Sequence, residues 1–212
     1  MQEQRKISEC YDKTAENYAA KFSNELEHKH LDQILLRAFI QENKDNGKLI
    51  DLGCGPGQTT VFLYENGLQN LIGTDLSSEM ISVATRSNPQ LHFEQADMLK
   101  LKYQDDSFGS AIAFYAIVHF DYEQIKTAFR EVQRVLMKNG HFLFSFHVGT
   151  GLIHFDHFLE HEVDIDFAFF EVERIKEILL DLDFEIKDII ERHPYSTEYP
   201  SKRAYFWAEK CR

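Results

Sequence analysis

Leu49-Ile50-Asp51-Leu52-Gly53-Cys54-Gly55-Pro56-Gly57-Gln58-Thr59-Thr60 is the stretch from which the rest of the chain can be read. A short apolar run carries a carboxylate at Asp51, three glycines follow at alternate positions, and a helix is expected behind them. Gly53, Gly55 and Gly57 have no Cβ, so this backbone can take positive φ and let a ligand approach its amides closely. The free N–H groups of the following helix start favour electron-rich partners. Asp51 favours a cation or a donor instead, so a ligand with both characters is implied. A purely structural strand-to-helix turn would use the same residues. The spacing differs from the dinucleotide fingerprint Gly-x-Gly-x-x-Gly, and Asp51 has no counterpart there.

On the N-terminal side, Tyr11 to Tyr18 reads as a helix with two half-buried tyrosines. Leu31, Ile34, Leu35, Ala38 and Phe39 repeat at helical spacing and are expected to form a core face, which Asn46-Gly47 ends. On the C-terminal side, Thr59 to Glu65 reads as a helix closed by Asn66-Gly67. Leu71 to Asp75 is a second strand ending in an acid, Ser77 caps a helix through Arg86, and Leu91 to Met98 holds a third strand with Asp97 near its end. A carboxylate at the end of a second parallel strand can accept both ribose hydroxyls of an adenosine, in more than one enzyme class. Ser107 to Phe120 is nearly continuous apolar sequence, as expected of a strand buried on both faces. Asp121 and Gln124 predict a capping box for a helix that Lys138-Asn139-Gly140 ends. His141 to Phe146 is a fifth strand. Residues 147–170 are irregular and rich in His, Phe and acid, as suits a loop over the ligand crevice. A helix on Val172, Ile175, Ile178, Leu179 and Leu182 follows, then strands at Phe184–Arg192 and Lys202–Lys210.

The stretch at 49–60 resembles motif I of the class I S-adenosylmethionine-dependent methyltransferases, and the resemblance extends from about Tyr11 to the end of the chain. It implies a doubly wound α/β domain with a seven-stranded Rossmann-like sheet whose last strand is antiparallel. It divides 1–212, a single domain, into lid helices (1–46), a cofactor core (47–146), a substrate-covering insertion (147–170) and a closing helix and strand pair (171–212). It implies S-adenosylmethionine as cofactor and S-adenosylhomocysteine as product. Asp51, Gly53, Gly55, Gly57 and Phe114 would then meet the methionine end, with Tyr11 and Tyr18 lidding it. Asp75 and Leu76 would meet the ribose, and Asp97 and Met98 the adenine. Tyr115, His154, Tyr195, Glu198 and Arg203 are expected on the acceptor side. The last three sit in a closing segment similar to that of uncharacterised bacterial methyltransferases.

His119 and His147 are placed for acceptor chemistry because histidine titrates near neutrality, although a core or supporting histidine is the commoner outcome for such a residue. His154, His157 and His161, spaced i, i+3 and i+7, could share one helical face and bind a transition metal, or could be pocket or surface histidines; no metal is expected.

A charge of −12 from 23 basic and 35 acidic residues argues against a phosphate backbone as partner. Nothing resembles the Asn/Asp-Pro-Pro-Tyr signature of amino-methylating nucleic acid enzymes, so a small-molecule methyl acceptor is expected. Cys10, Cys54 and Cys211 lack metal-ligand spacing and suggest reduced thiols in a cytoplasmic setting. The longest apolar run, Ala111 to Val118, is too short to span a bilayer. A monomer or a homodimer is compatible with these features. The expected activity is methyl transfer by in-line displacement. The alternatives are a nicotinamide-dependent oxidoreductase and a non-catalytic S-adenosylmethionine-binding module.

Overall fold

The computed structural model describes residues 2–211, with side chains from residue 4 onward; Met1 and Arg212, the ends of the expected domain, lie outside the described residues. Helices α1 (Gln2–Phe22), a 3-10 turn (Glu25–His28) and α2 (His30–Asn43) precede the first strand. Then follow β1 (Leu49–Leu52), α3 (Gln58–Glu65), β2 (Leu71–Asp75), α4 (Ser78–Ser87), β3 (Phe93–Gln95), β4 (Phe108–Phe114), α5 (Tyr122–Val135) and β5 (Leu136–His147). The chain continues with β6 (Leu152–Phe158), β7 (His161–Ala168), α6 (Val172–Asp181), β8 (Phe184–Arg192) and β9 (Arg203–Lys210).

Seven strands form one sheet in the order β3-β2-β1-β4-β5-β9-β8, while β6 and β7 form a separate hairpin. The strands from β3 to β5 run parallel, and β9 is antiparallel to both β5 and β8. The chain runs outward from β1 to β3 and then returns to β4 on the other side of β1. The order therefore reverses between β1 and β4, and ligands of such sheets bind at that reversal, outside the carboxyl ends of the strands.

Parallel strands covered on both faces need apolar residues throughout, and β4 is buried from Phe108 to Ala113. On β5, Phe142, Phe144 and Phe146 share one face because side chains alternate along a strand; Phe144 stacks on Phe206, while Phe129 and Phe170 meet Phe142 and Phe146 edge-on. The capping box of α5 is realised on both sides: Asp121 Oδ1 accepts from Gln124 N, and Gln124 Oε1 accepts from Asp121 N, each at 2.8 Å.

Several boundaries differ from the sequence reading. β4 stops at Phe114 rather than running to Phe120, because Tyr115 takes a φ of +55°, outside any strand conformation. α5 ends at Val135, and Leu136 already pairs with Phe108; a register shift before Ser110 and a left-handed Asn139 (φ +60°) absorb the residues expected to be a helix stop. The buried face of α2 is Asp32, Leu36, Phe39, Ile40 and Asn43, not the face through Leu31 and Ile34, and Ile34 is 62% exposed. Residues 152–168 form a regular hairpin instead of an irregular loop. A register shift between Phe155 and His157 hides its alternation in the sequence.

Candidate functional site

A cavity of about 830 Å³ opens at the carboxyl ends of β1, β2 and β4, within the range that holds small-molecule ligands. Its floor at the reversal point includes Asp51, Gly53, Gly55, Asp75 and Asp97. Its roof is α1, through Tyr11 and Tyr18, and the β6–β7 hairpin, through Ile153, Phe155, Phe158 and Phe167.

The glycines divide by function. Gly53, with φ +68°, has Ala116 so close that a Cβ would lie 2.5 Å from the alanine Cβ. Gly55, with φ +55°, has open space toward Tyr18, whose Cε1 would be 3.9 Å from such a Cβ. A side chain there would enter the cavity. Gly57, expected beside the ligand, does not line the cavity. It is the left-handed N-cap of α3, and its Cβ would meet the Phe93 ring at 2.9 Å, so its role is to pack the turn.

The carboxylates have distinct environments. Asp51 is 1% exposed and accepts from the Thr60 hydroxyl at 2.6 Å. Burial, partly offset by that bond, pushes its pKa up to about 7, and the nearby Asp75 charge adds to the rise. Asp75 accepts from Gly55 N and from Ser77 N, both at 2.9 Å, one on each oxygen. Each oxygen keeps a lone pair for a donor in the cavity. Burial raises its pKa and these amides lower it. Asp97 Oδ1 accepts from Leu99 N at 2.8 Å and, like Leu76, Met98 and Phe114, lines the cavity.

His119 sits five residues beyond β4, and both its nitrogens are engaged. Nδ1 lies 2.8 Å from the Asp166 carbonyl, which can only accept, so the ring proton is on Nδ1; Nε2 then accepts from the Tyr11 hydroxyl at 2.8 Å. Burial, partly offset by the Asp166 carbonyl, pulls the pKa of His119 down to about 4. It therefore holds Tyr11 and the hairpin together, and offers no free lone pair for a general base.

His147 faces the other end of the cavity. Its Nδ1 lies 2.8 Å from Ser201 Oγ, and Arg203 Nη1 approaches the same oxygen at 3.4 Å. The serine hydroxyl can accept from Arg203 and donate to His147, the arrangement in which the imidazole proton stands on Nε2. Burial pulls this pKa down to about 4, and the Arg203 and Lys29 charges contribute.

Beneath this end lies a buried network. Asp32 (0% exposed) accepts from the Tyr205 hydroxyl at 2.7 Å and from Arg192 Nη2 at 3.3 Å. Arg192 also grips both oxygens of Glu198, at 2.6 and 2.8 Å. Burial works against the Glu198 charge, but Arg192, Tyr195 N and Arg203 hold its pKa down to about 2. Lys29, paired to Glu25 at 2.8 Å, lies 4.5 Å above the Tyr115 ring. Lys29, Asp32, Arg192 and Tyr205 were not singled out from sequence. A charged Asp32 on the apolar repeat of α2 was the available signal.

The structure brings Tyr115, Glu198 and Arg203 to the cavity wall but not His154 or Tyr195. His154 lies on the outer face of the hairpin, against Asp166 and Asp156 at 2.8 and 3.1 Å. The Tyr195 ring packs under Arg192, and its hydroxyl accepts from Leu31 N at 3.0 Å. His154, His157 and His161 do not share a helical face, because they stand on two strands of a hairpin. Among the described residues, no group of three or more His, Cys, Asp or Glu is placed to hold a metal ion, and no helix is long and apolar enough to cross a membrane.

Residues 49–140 match a family model described as a methyltransferase domain. An uncharacterised protein of Methanocaldococcus jannaschii is 35% identical over 141 residues, which is 66% of this chain and 51% of that protein. An uncharacterised methyltransferase of Bacillus subtilis, YcgJ, is 32% identical over 119 residues, 54% of this chain and 46% of that one. The chain thus spans about half the length of these curated relatives. The crystal structure of magnesium protoporphyrin IX methyltransferase from Synechocystis, with bound S-adenosylmethionine, superposes with a TM-score of 0.75 at 15% identity, covering 98% of this chain and 97% of that one. That likeness establishes the fold.

Proposed function

We propose that the chain, whose residues 49–140 match a methyltransferase domain, is a class I S-adenosylmethionine-dependent methyltransferase that transfers a methyl group from S-adenosylmethionine to a small-molecule acceptor. The observation that carries this reading is the gathering of Asp51, Asp75 and Asp97, with the open side of Gly55, along one wall of a single cavity. When bound, the cofactor supplies a sulfonium methyl open to in-line displacement by an oxygen, nitrogen or other soft nucleophile.

The donor set suits that cofactor. Asp75 has one lone pair per oxygen free for ribose hydroxyls, and its two backbone amides fix the carboxylate plane. Asp97 and Met98 would hold the adenine. Asp51, Gly53, Gly55 and Phe114 would hold the methionine end, beneath Tyr11 and Tyr18. The chain's own contribution to rate is alignment of acceptor and methyl carbon, together with exclusion of water by the aromatic roof. Of the two histidines, His147 alone has a ring nitrogen, Nε2, without a hydrogen-bond partner among the described residues.

A small acceptor is favoured by the roofed shape of the cavity and by the charge of −12. The test is titration calorimetry with S-adenosylmethionine, S-adenosylhomocysteine and NADH, followed by detection of S-adenosylhomocysteine release with a panel of small acceptors. Micromolar binding of the first two ligands alone, with turnover, is expected. Binding of NADH alone would overturn the cofactor. Cofactor binding with no turnover of any acceptor would make the protein a sensor module.

A further inference from the structure

The end of the cavity away from Asp75 is built around cations. Lys29 Nζ lies 4.5 Å from the centre of the Tyr115 ring, and the His147 ring lies 5.5 Å from the same ring. Arg203 is 3% exposed yet lines the cavity. Its Nη1 is used by the carbonyls of Tyr199 and Ser201. Its Nε is buried without a hydrogen bond, 3.7 Å from Glu198 Oε2, and among the described residues its Nη2 makes no hydrogen bond. That oxygen, Glu198 Oε2, already accepts from Arg192 Nη1 at 2.6 Å and from Tyr195 N at 2.7 Å, which uses both of its lone pairs.

The charges around this end are Lys29, Arg192 and Arg203 against Glu25, Glu198 and Asp32. Burial opposes the charged forms of Asp32, Glu198 and Arg192 alike, but among the two acids of these three it raises the pKa only of Asp32, because Arg192, Tyr195 N and Arg203 hold that of Glu198 down. At His147, the cations Arg203 and Lys29 outweigh Glu198. The walls beside these donors are flat aromatic rings, with Phe169 at 6.0 Å and Tyr199 at 6.4 Å from the His147 ring.

We propose that Lys29, the Nε2–H of His147 and the Nη2 edge of Arg203 form an anion subsite that anchors the carboxylate of a small, flat, apolar acid, which is the methyl acceptor. An unfilled guanidinium edge beside an ammonium and an imidazole N–H matches the two oxygens of a carboxylate. The aromatic walls take the body of the molecule. The carboxylate is the recognised handle, and the nucleophile is another atom of the same acid. Neutral and cationic acceptors of the same shape leave the Arg203 edge unpaired and are rejected for that reason. The proposal rests on the methyl-transfer reading of the site.

The test uses the full chain saturated with S-adenosylhomocysteine, titrated with benzoate, salicylate, 4-hydroxybenzoate and cinnamate, and in parallel with benzamide and benzylamine. S-adenosylhomocysteine is titrated first and separately, so that loss of the cofactor reading is recognised independently of the acid series. The expected result is binding of at least one acid, with the amide and amine weaker by about tenfold or more, as for loss of a charged hydrogen bond. Arg203→Met is expected to abolish the acid preference while S-adenosylhomocysteine affinity stays within about twofold. Because Arg203 is buried, Lys29→Gln provides a second variant at a less deeply buried site, with an expected loss of about threefold to tenfold in acid affinity. Equal binding of acids and amide, no acid bound, or an acid preference that survives in both variants would overturn the proposal.

Discussion

The Tyr11 hydroxyl donates to His119 Nε2 across 2.8 Å, joining α1 to the loop behind β4 over a separation of 108 residues. The other face of the same imidazole donates to the Asp166 carbonyl on β7, so one ring ties both halves of the roof. Tyr11→Phe leaves Nε2 without a partner. It is expected to lower unfolding stability by about 1–3 kcal/mol, the cost of an unsatisfied buried acceptor. Urea denaturation measures that loss, and hydrogen exchange should show faster opening of β6 and β7. Unchanged exchange in the hairpin would remove the tie.

The buried histidines predict acid sensitivity. His119 and His147 have folded pKa values near 4 against about 6.5 when unfolded, so between those limits the unfolded state binds more protons. Stability therefore rises with pH through this window and is lost as pH falls through it, by up to about 3 kcal/mol per histidine. Asp51 works in the opposite sense: its folded pKa is raised, so the folded state binds the extra proton and stability falls as pH rises from about 4 toward 7. Urea midpoints between pH 4 and 7 should show a shallower slope for His147→Asn than for the parent. Asp51→Asn should show a steeper one. The reverse order of slopes would contradict these assignments.

Asp75 is expected to matter for ligand affinity. Removing its carboxylate in Asp75→Ala deletes the acceptors of Gly55 N and Ser77 N and those offered to the ribose. S-adenosylhomocysteine binding should weaken by about 1.5–3 kcal/mol, read by calorimetry beside a melting curve that establishes folding. A folded variant with parental affinity would refute the role.

Gly57 predicts loss of stability with no ligand contact involved. An alanine there must hold φ +91° and push a Cβ against Phe93 at 2.9 Å, a strain of about 1–3 kcal/mol from the backbone alone. In a Phe93→Leu background the overlap is relieved and the φ strain stays, so the second measurement separates the two causes. Equal losses in both backgrounds would assign the whole cost to φ.

Parts of the molecule that depend on neighbouring residues were legible in the sequence. The Ser77 cap and the reciprocal cap of α5 act within a few positions of themselves, and the glycine turn and the acid ending β2 are marked by residue types that stand close together in the chain. The network under the acceptor end was not legible, because Asp32 meets Arg192 across 160 residues and Tyr205 across 173. On α2 the apolar repeat fits two adjacent faces, and only the tertiary partners of Asp32 choose between them. The end of β4 is hidden because Phe114 to Phe120 stays mostly apolar while the backbone turns at Tyr115. The hairpin was missed for a similar reason, since its register shift breaks the period of two.

The roof has a consequence for how the protein is made. α1 packs on α4 and on β7, and its ties there include the bonds of Asp12 to Ser77 and of Asn17 to Leu159. The helix is therefore synthesised well before its second support exists. At about 5–20 residues per second, the ribosome needs on the order of ten seconds to reach the end of β7. For that interval Tyr11 and Tyr18 of α1 lack the Phe158 ring that packs against them. The nascent chain thus makes the five parallel strands β1 to β5 before the hairpin that closes over α1, with β8 and β9 of the sheet still to follow, and α1 is the segment that a chaperone or a neighbouring nascent chain would meet exposed.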